Sequence, residues 1–276
     1  MKKAEFNHKA GTHFEIAGAS IYYEVIENKG KPTLLFLHGG LGNMADFNPV
    51  IPLFADDYQI VGIDSRGHGK STLGIEKLTY KRLQLDVEAI INHLGLNAVN
   101  VIGFSDGGVV AYRLALSDKV SIQKIVTTGA VCGEQDAENN KKFFEGVTHE
   151  DYLTSDHFKH NFDLYEQQNP QPDVHKFIEY IEEMWFDNSE NGYPDIISST
   201  INVPTLIIRG NDDIDTIDDY VKMLPKIPNS ILCNVPFEGH TPTFEKYPQF
   251  FVEVIKDFLI SESNAKDISN LNSYSQ

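Results

Sequence analysis

Cysteine is scarce. Two residues, Cys132 and Cys233, stand in a chain of 276, too few for a metal cluster or a disulfide framework. Reduced thiols in a reducing compartment are the expectation. Long apolar runs are missing as well. Stretches such as TLLFL (33–37) and NVIGF (100–104) fall far short of the roughly 20 residues that span a bilayer. The opening MKKAEFNHKAGTHFEIAG carries positive charge without a continuous apolar stretch. It does not read as a secretion signal, and a cytoplasmic protein is expected. Basic residues are in deficit: 23 Lys and Arg against 40 Asp and Glu, a formal net charge of −17. A surface of that sign argues against nucleic acid and anionic membrane as partners. The glycine-rich HGGLG (38–42) lacks the lysine and the spacing of a phosphate loop.

What is present suits a sizeable core, with 41% hydrophobic and 11% aromatic residues. HFEIAGASIYYEVIE (13–27) alternates like a hairpin with its turn at Ala17-Gly18. After it come short runs apolar on both faces: TLLFLHGG (33–40), YQIVGID (58–64), NVIGF (100–104), IQKIVTTG (122–129), PTLIIRG (204–210) and SILCNV (230–235). Strands buried on both sides belong to parallel sheets covered by helices. TYKRLQLDVEAIINHLG (79–95) supplies such a helix, with Thr79 as cap, an apolar stripe through Leu83, Val87, Ile90, Ile91 and Leu94, and Gly95 as stop. EKYPQFFVEVIKDFLI (245–260) reads as another. The alternation predicts a doubly wound, mostly parallel α/β sheet.

Residues 133–198 break the alternation. They hold helical patches such as DVHKFIEYIEEMWF and no evident strand, and 133–195 carry sixteen acidic against four basic residues. This reads as a helical lid, residues 133–198, inserted into a core of 1–132 and 199–260. The polar 261–276 forms a frayed tail. An acidic block is by default a solvated face. The same applies to His157 and His160 beside Asp156 and Asp163, for which metal binding is the minor alternative.

The chemistry gathers at Gly103-Phe104-Ser105-Asp106-Gly107, a G-x-S-x-G pattern between a predicted buried strand and a buried helix. Glycines on either side let the chain turn sharply enough to hold a serine hydroxyl clear of both elements, and the first helical amides converge on the same point. Alone the motif is weak. A serine nucleophile also needs a base and an orienting acid. His240 follows the last predicted strand, and Asp212 and Asp213 follow the strand before it. For an oxyanion, the backbone N–H of Asp106 is the first donor; Gly40 is the first choice for the second and Leu41 the next. His38 reads as a loop brace. The Asp106 side chain is left over, either as a helix-capping charge or as a partner for a substrate ammonium.

HGG (38–40), DSRGHGKS (64–71), GFSDGG (103–108), RGNDD (209–213) and GHTPTFEKYPQFF (239–251) together resemble the α/β-hydrolase superfamily, in its small-lidded serine hydrolases, over about residues 14–260. The resemblance implies an α/β-hydrolase fold. It places the acid three residues after Gly210, at Asp213, although Ile217 stands where a proline is usual. In some relatives the acid follows the strand before the lid, where Glu134 stands. It treats His68 and Arg66 as parts of a structural turn. Dehalogenases and epoxide hydrolases of this fold use an aspartate at the corner, so Ser105 points to ester, lactone, thioester or amide hydrolysis. SDGG is nearest to valacyclovir-hydrolase-like members acting on amino-acid esters. The expected function is a cofactor-independent, metal-free serine hydrolase of small-molecule esters, with Ser105, His240 and Asp213 as catalytic residues. Peptidase or amidase, haloperoxidase-like perhydrolase or lyase, and non-catalytic binding relative are the alternatives.

Overall fold

A computed structural model describes residues 4–194, 200–240 and 243–261. The hairpin forms as β1 (Thr12–Ile16) and β2 (Ala19–Ile26), joined by Ala17 and Gly18 at φ 48° and 70°. Two successive positive φ values give a turn whose twist matches paired strands. Then follow β3 (Thr33–Leu37), α1 (Ile51–Phe54), β4 (Gln59–Ile63), α2 (Tyr80–His93), β5 (Val99–Phe104), α3 (Asp106–Ala115) and β6 (Ile122–Thr128). The insertion holds α4 (Glu134–Phe143), α5 (His149–Thr154), α6 (Asp156–Gln168) and α7 (Val174–Trp185). The chain closes with β7 (Thr205–Gly210), α8 (Ile217–Met223), β8 (Ser230–Val235), α9 (Thr243–Lys246) and α10 (Pro248–Ile260).

The strands make one eight-stranded sheet in the order β1-β2-β4-β3-β5-β6-β7-β8. Only β1–β2 and β2–β4 pair antiparallel; the other neighbours are parallel. The period of two sorts side chains into two cores. Leu35, Leu37 and Val101 pack with α2 and α3, while Leu34, Phe36 and Ile102 pack with α1 and α10. Thr79 caps α2 by accepting the Arg82 amide, and Gly95 follows the helix at φ 63°.

Two expectations need correction. SILCNV forms a strand, but at the sheet's edge, and Ile231 is 45% exposed. Its apolar run reads as buried on both faces, but periodicity does not tell a central strand from the last one. The segment 245–260 is not one helix. α9 ends at Lys246, Tyr247 leaves the helical region (φ −127°, ψ 57°), and Pro248 opens α10. Proline disfavours helix in the residue before it and suits a helix's first turn. Met44–Phe47 and Ile51–Phe54 form short helices of four residues each, too brief to show a periodic apolar stripe in the sequence. Residues 195–199 of the insertion and 262–276 of the tail lie outside the described residues.

The insertion is tied to the core by polar contacts. Arg113 of α3 donates to the carbonyls of Gly192 and Glu190, and Asn169 donates to those of Gly69 and Ser71 at 3.0 and 2.8 Å. Among the described residues, no helix is long and apolar enough to cross a membrane.

Candidate active site

Six parallel strands end at one side of the sheet, and four of their ends carry the site. Ser105 follows β5 and starts α3 with φ 50° and ψ −117°, a strained conformation costing on the order of 1–3 kcal/mol. The neighbours explain why it persists. A Cβ at Gly103 would lie 2.3 Å from the Gly107 carbonyl oxygen, and one at Gly107 would lie 2.0 Å from that of Leu37. The turn closes only because both lack side chains.

The other two groups arrive from the ends of β7 and β8. His240 Nε2 lies 3.0 Å from Ser105 Oγ, and His240 Nδ1 lies 2.7 Å from Asp213 Oδ1. Asp213 also accepts the Ile214 amide at 2.8 Å and the Tyr220 hydroxyl at 3.1 Å, and its side chain is buried. The imidazole is thereby set with Nδ1–H toward the carboxylate and Nε2 toward the hydroxyl, the arrangement that lets it take a proton from serine. Asp212, the other acid of the pair, is exposed and accepts from Asn211 instead. The side chains of Glu134 and His157 lie outside what the structure describes. His160 is exposed and Asp163 pairs with Lys159 at 3.0 Å. Among the described residues no group of three His, Cys, Asp or Glu could hold a metal ion.

The loop after β3 faces Ser105. The Leu41 amide donates to His68 Nε2 at 3.2 Å, which takes the second-choice oxyanion donor out of reach. Among the described residues, the amides of Gly40 and Asp106 have no protein acceptor. Gly40 has no room for a side chain: a Cβ there would sit 2.6 Å from Asp106 Oδ2 and 2.7 Å from Trp185. His38 accepts the Ser65 amide on Nε2 at 2.9 Å and donates to the Gly39 carbonyl at 2.7 Å. Burial lowers the pKa of His38 and takes that of His68 to about 3, so both braces stay neutral. Arg66 is buried in a fork with Asp86, both bonds at 2.8 Å.

Asp106 differs from its sequence-based reading. Its carboxylate accepts the Tyr80 hydroxyl at 2.7 Å and Trp185 Nε1 at 3.0 Å from both oxygens, and it is 7% exposed. Burial pushes its pKa up, against these two donors and the nearby His240. The place expected for a substrate ammonium is thus occupied by Tyr80 from the core and Trp185 from the insertion. Neither partner was foreseen, since each lies far along the chain.

These groups open into a cavity of about 620 Å³. Phe143, Phe144, Phe158 and Trp185 of the insertion form its apolar wall, with Phe144 and Trp185 stacked at 4.9 Å.

A family model described as the alpha/beta hydrolase fold matches residues 32–154. A provisionally assigned esterase/lipase of Haemophilus influenzae is 26% identical over 266 residues, covering 90% of this chain and 91% of that protein. An uncharacterised hydrolase of Bacillus subtilis, YugF, is 33% identical over 114 residues, which are 41% of this chain and 42% of that one. Among solved structures, an epoxide hydrolase from Bacillus megaterium has a TM-score of 0.72 at 20% identity, over 91% of this chain and 100% of that one.

Proposed function

For this chain, which belongs to the α/β-hydrolase superfamily, we propose a serine hydrolase that cleaves carboxylic esters of small molecules through an acyl-enzyme. The observation that carries this reading is the Ser105–His240–Asp213 hydrogen-bond chain, 3.0 and 2.7 Å, with Ser105 and His240 lining a cavity of about 620 Å³.

Ser105 Oγ attacks the carbonyl carbon while His240 Nε2 takes its proton. Asp213 steadies the imidazolium so formed. The carbonyl oxygen becomes an oxyanion between the amides of Gly40 and Asp106, which are fixed in place before the reaction begins. The tetrahedral intermediate collapses, its C–O bond breaks, and His240 returns the proton to the departing alkoxide. A water then attacks the acyl-serine by the same route and releases the acid. The neutral donors Tyr80 and Trp185 offset the repulsion that the Asp106 carboxylate would exert on the oxyanion. The insertion acts as a lid, and its aromatic wall sets which substrates fit.

Epoxide-hydrolase chemistry finds less support. The resemblance associates it with an aspartate at the corner, and here the corner residue is a serine whose hydroxyl meets the histidine.

The test is labelling with a fluorophosphonate together with turnover of short-chain p-nitrophenyl esters. The expected result is stoichiometric modification of Ser105 and loss of turnover by several orders of magnitude in Ser105→Ala, with Tm little changed. Modification of another serine, or turnover surviving in Ser105→Ala, overturns the reading.

A further inference from the structure

Asp213 is held from behind by two residues, neither of which lines the cavity. Its Oδ1 meets His240 Nδ1 at 2.7 Å and accepts the Ile214 amide at 2.8 Å. Among the described residues, Oδ2 accepts the Tyr220 hydroxyl alone, at 3.1 Å. Tyr220 projects from α8 and is fully buried. Burial first, then the charges of Asp213 and Asp215, raise its pKa well above the ordinary phenol value. The phenol therefore keeps its proton and stays a donor.

Arg209, near the end of β7, is the second residue and is also buried. A buried guanidinium ordinarily answers a carboxylate. The hydrogen bonds of Arg209 go instead to neutral oxygens. Nη2 donates to the carbonyls of Asn211 at 3.3 Å and Asp215 at 3.1 Å, and Nη1 donates to Asn234 Oδ1 at 2.6 Å. The two carbonyls stand on either side of Asp213, so one planar group brackets the loop that carries the acid. The same guanidinium lies over the Tyr220 ring, 5.1 Å from its centroid, where it also fixes the phenol.

We propose that Arg209 and Tyr220 are positioning residues for the reaction at Ser105: Arg209 holds the acid loop and the Tyr220 ring, and Tyr220 holds Asp213 Oδ2, which keeps Oδ1 on His240. This rests on the serine-hydrolase reading above and extends it. The terminal torsion of a carboxylate is soft, so a group with one unbonded oxygen turns readily. A donor on Oδ2 removes that freedom. It also takes up part of the negative charge, so the carboxylate pulls less strongly on the imidazole proton. Loss of the donor has two consequences. Turnover slows, because the imidazole is aimed less well. The imidazolium is also held more tightly, so the free base that accepts the serine proton is reached only at higher pH. The titratable groups facing Tyr220 are Asp213, Asp215 and Tyr112; those facing His240 are Asp213, Asp106 and Asp215.

The experiment measures kcat, KM and the pH profile of kcat/KM, from about pH 5 to 9, with a short-chain p-nitrophenyl ester. Wild type is compared with Tyr220→Phe, Arg209→Lys and Tyr112→Phe. Tyr112 is a buried tyrosine whose hydroxyl meets Thr127 Oγ1 at 2.8 Å, so its variant loses a buried hydroxyl away from the acid. Tyr220→Phe should lower kcat roughly tenfold, leave KM within about twofold, and move the acid limb up by about half a pH unit or more. Arg209→Lys keeps the charge but loses the planar fork, and should lower kcat at least about threefold with KM likewise unmoved. Tyr112→Phe should leave the acid limb at its wild-type position. In an Asp213→Asn background, Tyr220→Phe should add less than about twofold, because its effect runs through the carboxylate. Asp215 has its pKa pushed up to about 6 and titrates within the same range, so the profile is repeated in Asp215→Asn, where the shift should persist. An unmoved acid limb in Tyr220→Phe, an equal shift in Tyr112→Phe, a full further loss in the Asp213→Asn background, or disappearance of the shift in Asp215→Asn overturns the role of Tyr220. Wild-type kcat in Arg209→Lys overturns that of Arg209. Each of these results leaves the serine-hydrolase reading standing as long as wild-type cleavage depends on Ser105; absence of that dependence removes both.

Discussion

The two walls of the cavity are built by different means. On the strand side the backbone decides. Ser105 sits at φ 50° between two glycines with no space for a Cβ, and the Gly40 amide is presented by a loop that two neutral histidines hold. On the insertion side the side chains decide. Phe144 stacks on Trp185, Trp185 reaches across to Asp106, and Phe143 remains 56% exposed. A wall made of backbone tolerates almost no substitution and suits chemistry that needs fixed geometry. A wall of side chains can be rebuilt residue by residue and suits selectivity.

The comparison can be broken most readily at the acid. Asp213→Asn should lower kcat by about 10³–10⁴-fold, because an amide neither fixes the tautomer of the neutral imidazole nor stabilises the imidazolium by charge. Asp212→Asn, at an exposed site, should change it by less than about threefold. If Glu134→Gln were the more damaging change in steady-state kinetics, the orienting acid would belong to the insertion.

A stability effect of the backbone wall comes next. Gly103→Ala drives a Cβ to within 2.3 Å of the Gly107 carbonyl oxygen and should cost about 3 kcal/mol or more. Gly95, unlike Gly103, sits at positive φ, 63°, and a Cβ there meets no atom within 4 Å, so Gly95→Ala should cost only the strain of the left-handed region, roughly 1–2 kcal/mol. Urea titration of both variants separates steric clash from backbone strain. Equal costs would show that packing around the corner is not what restricts residue 103.

Trp185→Phe tests the side-chain wall. It keeps an aromatic ring and removes the N–H that lies 3.0 Å from both oxygens of Asp106. A loss of about 1–3 kcal/mol is expected from a buried carboxylate deprived of a donor, read as a Tm shift. KM should move more than kcat.

The smallest effect concerns a brace beside the site, where Asp64 follows the end of β4. His8 Nε2 lies 3.0 Å from the buried Asp64. Desolvation lowers the His8 pKa, but the hydrogen bond and charge of Asp64 outweigh it, so the net shift is upward from 6.5. A raised folded-state pKa gives stability that is complete below the unfolded value and lost as pH rises through the folded one. His8→Gln should therefore destabilise more at pH 6 than at pH 9. Asp64, whose pKa is lowered from 3.8, stays ionised throughout that window. An unchanged difference in Tm between the two pH values would assign His8 a neutral packing role.

Much of the strand-side wall was legible because it is local. The turn at Ser105 needs glycine within two residues on either side, and a short apolar run before it with a helical stripe after it marks strand and helix. Hairpin, parallel strands and α2 were readable for the same reason. The edge position of β8 was not, since an edge is a property of strand order. The break at Pro248 was present in the sequence, but the apolar spacing on both sides continued across it and hid it.

By itself the sequence determined the element types, the strand-to-helix corner and the short list of residues able to serve it, because each follows from steric or periodic constraints spanning a few residues. Only the tertiary structure decided which of them meet. Ser105 and His240 are 135 residues apart, Asp106 and Trp185 79 apart, and both contacts are near 3.0 Å. Contacts of that separation depend on how the sheet orders its strands and where the insertion settles. For that reason Asp106 finds its partners in Tyr80 and Trp185.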